Sequence, residues 1–283
     1  MFAFLASALI VATAVQQIDT TVTVRPGSRL DLNNFEGSVT IGVWAKSAVR
    51  VQADPEDDEG DVDIDVSGSS VSLRSSGRYG PETVDYHLTV PADINLSISG
   101  QSGDVTIDGT KGEITVETVE GEIRVSGGGG LISLRSVDGS ITLSGARGRM
   151  ELNSVDGEIR MTNVAGEIRA QAVDGTITMD GVDSPSVEAQ SVDGEISFRG
   201  PIKDGGRYRL VSHDGDVTVT TPVINASVSV STYSGNMESD FPITLSGITP
   251  GKRMNFTMGN GSARLEIESF DGTVSLRKGG TVR

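Results

Sequence analysis

Apolar residues along this chain come in pairs spaced by two, and each pair follows a glycine. Glycines stand at 103, 112, 121, 130, 139, 148, 157, 166 and 175, nine residues apart. Two residues after each lie Val105, Ile114, Ile123, Ile132, Ile141, Met150, Ile159, Ile168 and Ile177. Two further on lie Ile107, Val116, Val125, Leu134, Leu143, Leu152, Met161, Ala170 and Met179. Apolar positions at i and i+2 with polar ones between predict a short strand with one buried face, because successive side chains point to opposite sides. Nine residues hold one strand and one turn. Units this small cannot bury their faces alone, so a fixed period over many copies predicts stacking.

Alternate copies differ at the turn, which makes the true repeat eighteen residues. One turn reads small residue, Val, acid, Gly, as in Ser136-Val137-Asp138-Gly139, Ser154-Val155-Asp156-Gly157 and Ala172-Val173-Asp174-Gly175. The other passes through Gly109, Gly127, Gly145, Asn163 and Gly181. The predicted fold is all-β: a single elongated parallel β-solenoid whose regular part has eighteen-residue coils of two strands and two corners. Successive coils should stack about 4.8 Å apart, giving two parallel sheets about 10 Å apart over an aliphatic core. Register is also written in the outward residues. Arg149 should face Glu167, and Glu151 should face Arg169, each exposed pair contributing roughly 0.2–1 kcal/mol.

The period is even between residues 101 and 200 and looser on either side. Residues 15–100 read as irregular N-terminal coils and a cap, with coil pattern in Phe35 to Ile41 and strands at Val49 to Ala53, Val62 to Val66, Val71 to Leu73, Val84 to Val90 and Ile94 to Ile98. Tyr79-Gly80-Pro81 reads as a turn. Residues 201–283 read as looser coils reaching Phe270-Asp271-Gly272-Thr273-Val274-Ser275-Leu276. A length of 283 residues would on average suggest two domains, but continuous coils argue for one body. Met1 to Val11 is almost continuously apolar and is followed by Ala12-Thr13-Ala14, so residues 1–14 have the form of a cleaved signal peptide. The run is too short for a spanning helix, and no later segment resembles a membrane anchor.

Composition narrows the functional classes. The chain has 36 glycines, one tryptophan (Trp44) and no cysteine, which excludes disulfides and thiolate metal sites. A formal charge of -16 disfavours nucleic acid and anionic lipid as partners.

The Phe35 to Ile41 coil, the Tyr86-His87-Leu88-Thr89-Val90-Pro91 strand, the run from Ser102-Gly103-Asp104-Val105, and Gly259-Asn260-Gly261-Ser262-Ala263 followed by Phe270-Asp271-Gly272 together resemble the bacterial secreted β-strand-repeat family called putative adhesins. The resemblance covers essentially the whole chain after residue 14. It implies a β-solenoid exported to the periplasm or cell surface, lends support to adhesion, and carries no catalytic residues with it.

Among candidate sites, the acids before the corner glycines, Asp138, Asp156, Asp174 and Asp193 with Glu120, Asp214 and Asp271, would form a carboxylate ladder that could attract a cation. The corners lack the GGxGxDxUx nonapeptide of calcium-binding rolls, so a structural turn is the simpler reading. Asp54 to Asp61 holds six carboxylates in eight residues without EF-hand spacing, as a solvated loop would. His87 and His213 are the only histidines, and neither belongs to a recognisable triad. A Thr-x-Thr ice-binding array is broken, because Thr176-x-Thr178 stands beside Glu158-x-Arg160. The sequence therefore predicts a non-enzymatic exported protein that needs no cofactor. It would bind an envelope or extracellular protein or glycan through a repetitive acidic surface including Glu122, Glu158 and Glu195. The alternative is a carbohydrate-active solenoid enzyme of the cell envelope.

Overall fold

The computed structural model describes residues 18–56, 60–77, 82–243 and 253–279. The segment 1–14, the Tyr79-Gly80-Pro81 turn and part of the Asp54 to Asp61 cluster lie outside them. The described residues form two thirteen-stranded sheets and no helix.

In the middle of the molecule the eighteen-residue register is realised. Ile123 pairs with Ile141, Ile141 with Ile159 and Ile159 with Ile177 in one sheet. Ile114 pairs with Ile132, Ile132 with Met150 and Met150 with Ile168 in the other. All these ladders are parallel. Within one coil the strand Ile141–Ser144 turns through Gly145 into the strand Arg147–Asp156, which ends at the Asp-Gly corner. Ile141 and Leu143 from one sheet and Met150 and Leu152 from the other are fully buried, with Ala146 at the turn as a fifth inward position. At roughly 1.5–3 kcal/mol for each buried aliphatic side chain, each coil is held by the coils on either side.

The corner glycines are required for two reasons. Gly157 has φ +145°, and a Cβ built on it would lie 2.5 Å from the Gly139 carbonyl oxygen of the preceding coil. Just past the opposite corner, within the strand Ala165–Asp174, a Cβ on Gly166 would lie 2.0 Å from the Gly148 carbonyl oxygen. The close approach of the neighbouring carbonyl makes glycine recur at these positions, whereas Gly145 at the looser turn has open space around its Cβ position. At the looser turn Asn163 takes φ 54°, the one non-glycine positive φ among the described residues, as Asn tolerates the left-handed region.

Arg149 and Glu167 meet at 3.1 Å. Glu151 lies opposite Arg169 in the ladder, but the guanidinium turns the other way and pairs with Glu188 at 2.9 Å. Carboxylates flank Arg169 on both sides at the same strand spacing, so register alone does not choose between them.

Beyond Asp180 the coils lengthen. Ile177 pairs with Ile196 and Ile196 with Val217, and the wider coil is filled by Phe198 and Tyr208, packed edge to face with centroids 5.7 Å apart. The buried Tyr208 hydroxyl donates to the Ser184 carbonyl at 2.7 Å and accepts from the Lys203 amide at 2.9 Å. Burial pushes its pKa upward.

At both ends the stacking leaves sequence order. The coil containing Arg29–Glu36 and Val39–Trp44 sits directly against Asn95–Ser102 and Val105–Thr110, while the residues between them lie further out. At the other end Ala263–Asp271 and Val274–Lys278 slot between Arg207–Asp214 and Val217–Thr221 on one side and Ala226–Thr232 and Met237–Ser239 on the other. Three of the four sheet ends are closed by antiparallel strands, Ile18–Thr23 on Ala48–Pro55, Gly60–Ser67 on Ser70–Gly77 and Met254–Met258 on Ala226–Thr232, and the fourth by the parallel strand Met237–Ser239. The nine-residue period does not announce this departure from parallel pairing.

Candidate functional site

The Asp-Gly corner carries three parallel columns, each fixed by strand alternation. The small residue faces inward and is buried, as at Ser136, Ser154, Ser191, Ser212 and Ser269. Its hydroxyl reaches the corner of the neighbouring coil: Ser191, Ser212 and Ser269 donate to the carbonyls of Gly175, Gly194 and Gly215 at 3.2, 2.8 and 2.9 Å. The buried hydroxyls of Ser191, Ser212 and Ser269 are thus satisfied, while that of Ser136 has no partner among the described residues.

The next residue must point outward. Pairing of Thr118 with Ser136 and of Glu120 with Asp138 places Val119 beside Val137, and the same bracketing continues through the stack. The column runs Phe35, Gln101, Val119, Val137, Val155, Val173, Val192, His213, Phe270 and Tyr233. The five valines are 43–52% exposed and Tyr233 is 71% exposed. At its end His213 stacks on Phe270 with centroids 4.8 Å apart, and Phe270 on Tyr233 at 4.8 Å with planes 4° apart. That spacing equals the strand spacing, so the ring stack follows directly from register.

Beside this apolar column runs the acidic one: Glu120, Asp138, Asp156, Asp174, Asp193, Asp214 and Asp271 are successive ladder partners and all are exposed. Adjacent carboxylates in water repel by about 1 kcal/mol or less, which a solvated edge tolerates and an incoming cation would relieve. Among the described residues no three His, Asp or Glu side chains converge as a metal site would need. The carboxylates are strung along an edge rather than gathered.

Glu122, Glu158 and Glu195 lie just past the corner, in a column that Ser140 and Thr176 interrupt. Glu122 pairs with Arg124 of the strand that follows it, Ile123–Gly127. Glu158 accepts from Arg160 at 2.5 Å and from the Thr178 hydroxyl at 3.4 Å. Glu195 has no ion pair among the described residues. The uninterrupted acidic row is therefore the Asp-Gly corner rather than this neighbouring column. His87 is exposed on the strand Val84–Pro91 opposite Thr40 and Gln52. Among the described residues neither histidine is hydrogen-bonded to a serine or a carboxylate.

The valine column is the feature that sequence reasoning passed over. Its signal was the constant Val between the small residue and the acid. Once the small residue is placed inward, alternation puts that Val in solvent, where a turn has no need of an apolar side chain.

The family model described as Toastrack DUF4097 matches the chain over residues 13–202 and 186–277. No curated protein sequence matches it. Among solved structures, a putative adhesin from Parabacteroides distasonis aligns with 92% of this chain and 97% of its own at a TM-score of 0.50 and 10% identity. A putative adhesin from Bacteroides fragilis aligns with 93% and 98% at a TM-score of 0.43 and 14% identity. At these identities the likeness is one of fold.

Proposed function

The chain belongs to the Toastrack DUF4097 family, and on that footing we propose that it is a non-enzymatic, adhesin-like binding protein whose contact surface is the Asp-Gly corner edge. Residues 1–14 are removed on export, and residues 15–283 act as one solenoid at the periplasm, the cell surface or beyond. The partner is an envelope or extracellular protein or glycan. No helix of the described residues is long and apolar enough to cross a membrane.

One observation carries this reading: half-exposed valines and aromatics run beside a row of carboxylates that is unbroken from Glu120 to Asp271. Exposed apolar side chains in a contiguous strip, rimmed by polar ones, are the common signature of an interaction surface. Repetition supplies many weak contacts, so binding accumulates by avidity rather than at one pocket. Glu195 and the paired Glu122 and Glu158 extend the acidic surface around the corner. The name shared by the solved neighbours, putative adhesin, agrees with such a role.

Retention on native cell envelopes tests it. Replacing Val137, Val155 and Val173 together by serine should lower retention at least tenfold, and any one replacement less than twofold. The triple change Glu122, Glu158 and Glu195 to Gln should weaken retention by less than the valine triple. N-terminal sequencing of the exported protein should begin near Val15. Release of reducing sugars that a single substitution abolishes, or retention unaffected by the valine triple, would overturn the proposal.

A further inference from the structure

The outer face of the second sheet carries an anomaly in an otherwise acidic protein. Along that face arginines lie against carboxylates: Arg149 against Glu167, Arg169 against Glu188, and Arg209 against Glu188 at 3.8 Å. Arg135 and Arg147 of that sheet have no ion pair among the described residues, and Arg207 and Arg264 go further. They are direct ladder partners, the only registered pair among the described residues that sets two cations opposite each other. Like charges in that position destabilise a sheet. Neither guanidinium has an ion pair or a side-chain hydrogen bond among the described residues. Their other ladder neighbours are neutral, Ser186 beside Arg207 and Ser227 beside Arg264. Two carboxylates line a groove together with both arginines, and they are engaged elsewhere, Glu266 with Arg253 at 3.8 Å and Glu188 with Arg169 and Arg209.

The two arginines border an open groove of about 510 Å³ that Arg253, Ser227, Ser229 and Asn255 also line. Its wall is held by the Arg264 amide, which donates to the Gly206 carbonyl at 2.9 Å. Three guanidiniums, the hydroxyls of Ser227, Ser229 and Ser262, and an amide thus surround one space, with a single carboxylate, Glu266, among the lining groups.

We infer that Arg207 and Arg264 form a binding site for a tetrahedral oxyanion, the phosphate or sulfate group of a free ion or of an ester on a polymer. A carboxylate can meet two guanidiniums, as Glu188 meets Arg169 and Arg209, but it has only two coplanar oxygens, whereas a phosphate or sulfate group offers three or four in a tetrahedral array. Two arginines whose backbones stand one strand spacing apart can each turn a guanidinium to different oxygens of one tetrahedral group. Ser227, Ser229 and Asn255 supply further donors, and the bound anion removes the repulsion between the paired cations. The site lies on the sheet face, away from the Asp-Gly corner, and stands independently of the role proposed for that edge.

Calorimetric titration of the exported chain at constant ionic strength tests the inference. The probes are sodium phosphate, sodium sulfate and dextran sulfate, with chloride as the control. Saturable binding of at least one probe is expected, with a rise in unfolding temperature that chloride does not produce. Saturation by phosphate or sulfate alone identifies a free ion as sufficient; saturation by dextran sulfate only identifies a polymer ester. R207Q and R264Q should each weaken binding at least tenfold, and R149Q, at a paired arginine of the same face, less than twofold. Without anion, R264Q should be no less stable than the parent chain. Absence of saturable binding for all three probes, or equal losses in R264Q and R149Q, would overturn the inference.

Discussion

Between Val105 and Asp180 each coil packs on the coil that precedes it in the chain, whereas at the two ends the chain travels outward first and returns to fill a gap it has left. In the middle, Ile141 pairs with Ile159. At the C-terminal end Val217 pairs with Val274, and at the N-terminal end Val39 pairs with Val105 on one side and Tyr86 on the other. Closing the longer C-terminal loop costs only about 1 kcal/mol more than closing one coil, so the entropic difference between the two ways of stacking is small. The consequences differ more. A middle coil adds its own contacts and could be removed as a unit; an intercalated coil is the sole link between the stack and the strands outside it. Three of the four sheet ends also turn antiparallel, and the fourth closes on the three-residue parallel strand Met237–Ser239.

The largest expected effect comes from removing the intercalated coil. Truncation after Ile243 takes away the fully buried Leu265, Ile267, Val274 and Leu276, each contributing roughly 1.5–3 kcal/mol. Their sum is comparable with the whole stability of a typical domain, about 5–15 kcal/mol. Calorimetry should show loss of the cooperative transition for the C-terminal part; a truncated chain as stable as the parent would mean that the coil is not inserted. Next comes a charge in the middle core. Ile159→Asp buries a carboxylate without a partner at a fully buried position and should cost several kcal/mol, while Glu158→Ala next to it, facing outward, should change denaturant midpoints little.

Smaller again is the corner. Gly157→Ala sets a Cβ against the Gly139 carbonyl oxygen at φ +145° and should cost about 1–3 kcal/mol, whereas Gly145→Ala, with open space around its Cβ position, should cost less. The smallest effect belongs to deletion of Gly139 to Asp156. That cut removes one whole coil and rejoins equivalent corners, so cooperative unfolding should persist with a modest drop in midpoint. A thirteen-residue deletion from the same starting point should abolish it. Equal behaviour of the two deletions would show that the middle coils are not interchangeable units.

Much of this molecule is legible in the chain because its organising contacts are local. The pairs Ile141 and Ile159, or Arg149 and Glu167, are one repeat apart, and a strand's period of two decides which residues point inward. The sequence alone thus determined the strand pattern, the faces, the register of the middle coils and the line of corner carboxylates. What it left open are contacts between residues whose separation follows no period. Every coil presents the same ladder of N–H and C=O groups at its edge, so pattern alone does not say that Val39 docks on Val105, or that Val274 inserts between Val217 and Met237. The meeting of Arg207 with Arg264 follows from that insertion. It came from tertiary structure because backbone hydrogen bonding is indifferent to which coil supplies the partner, and only the closing of distant loops makes the choice.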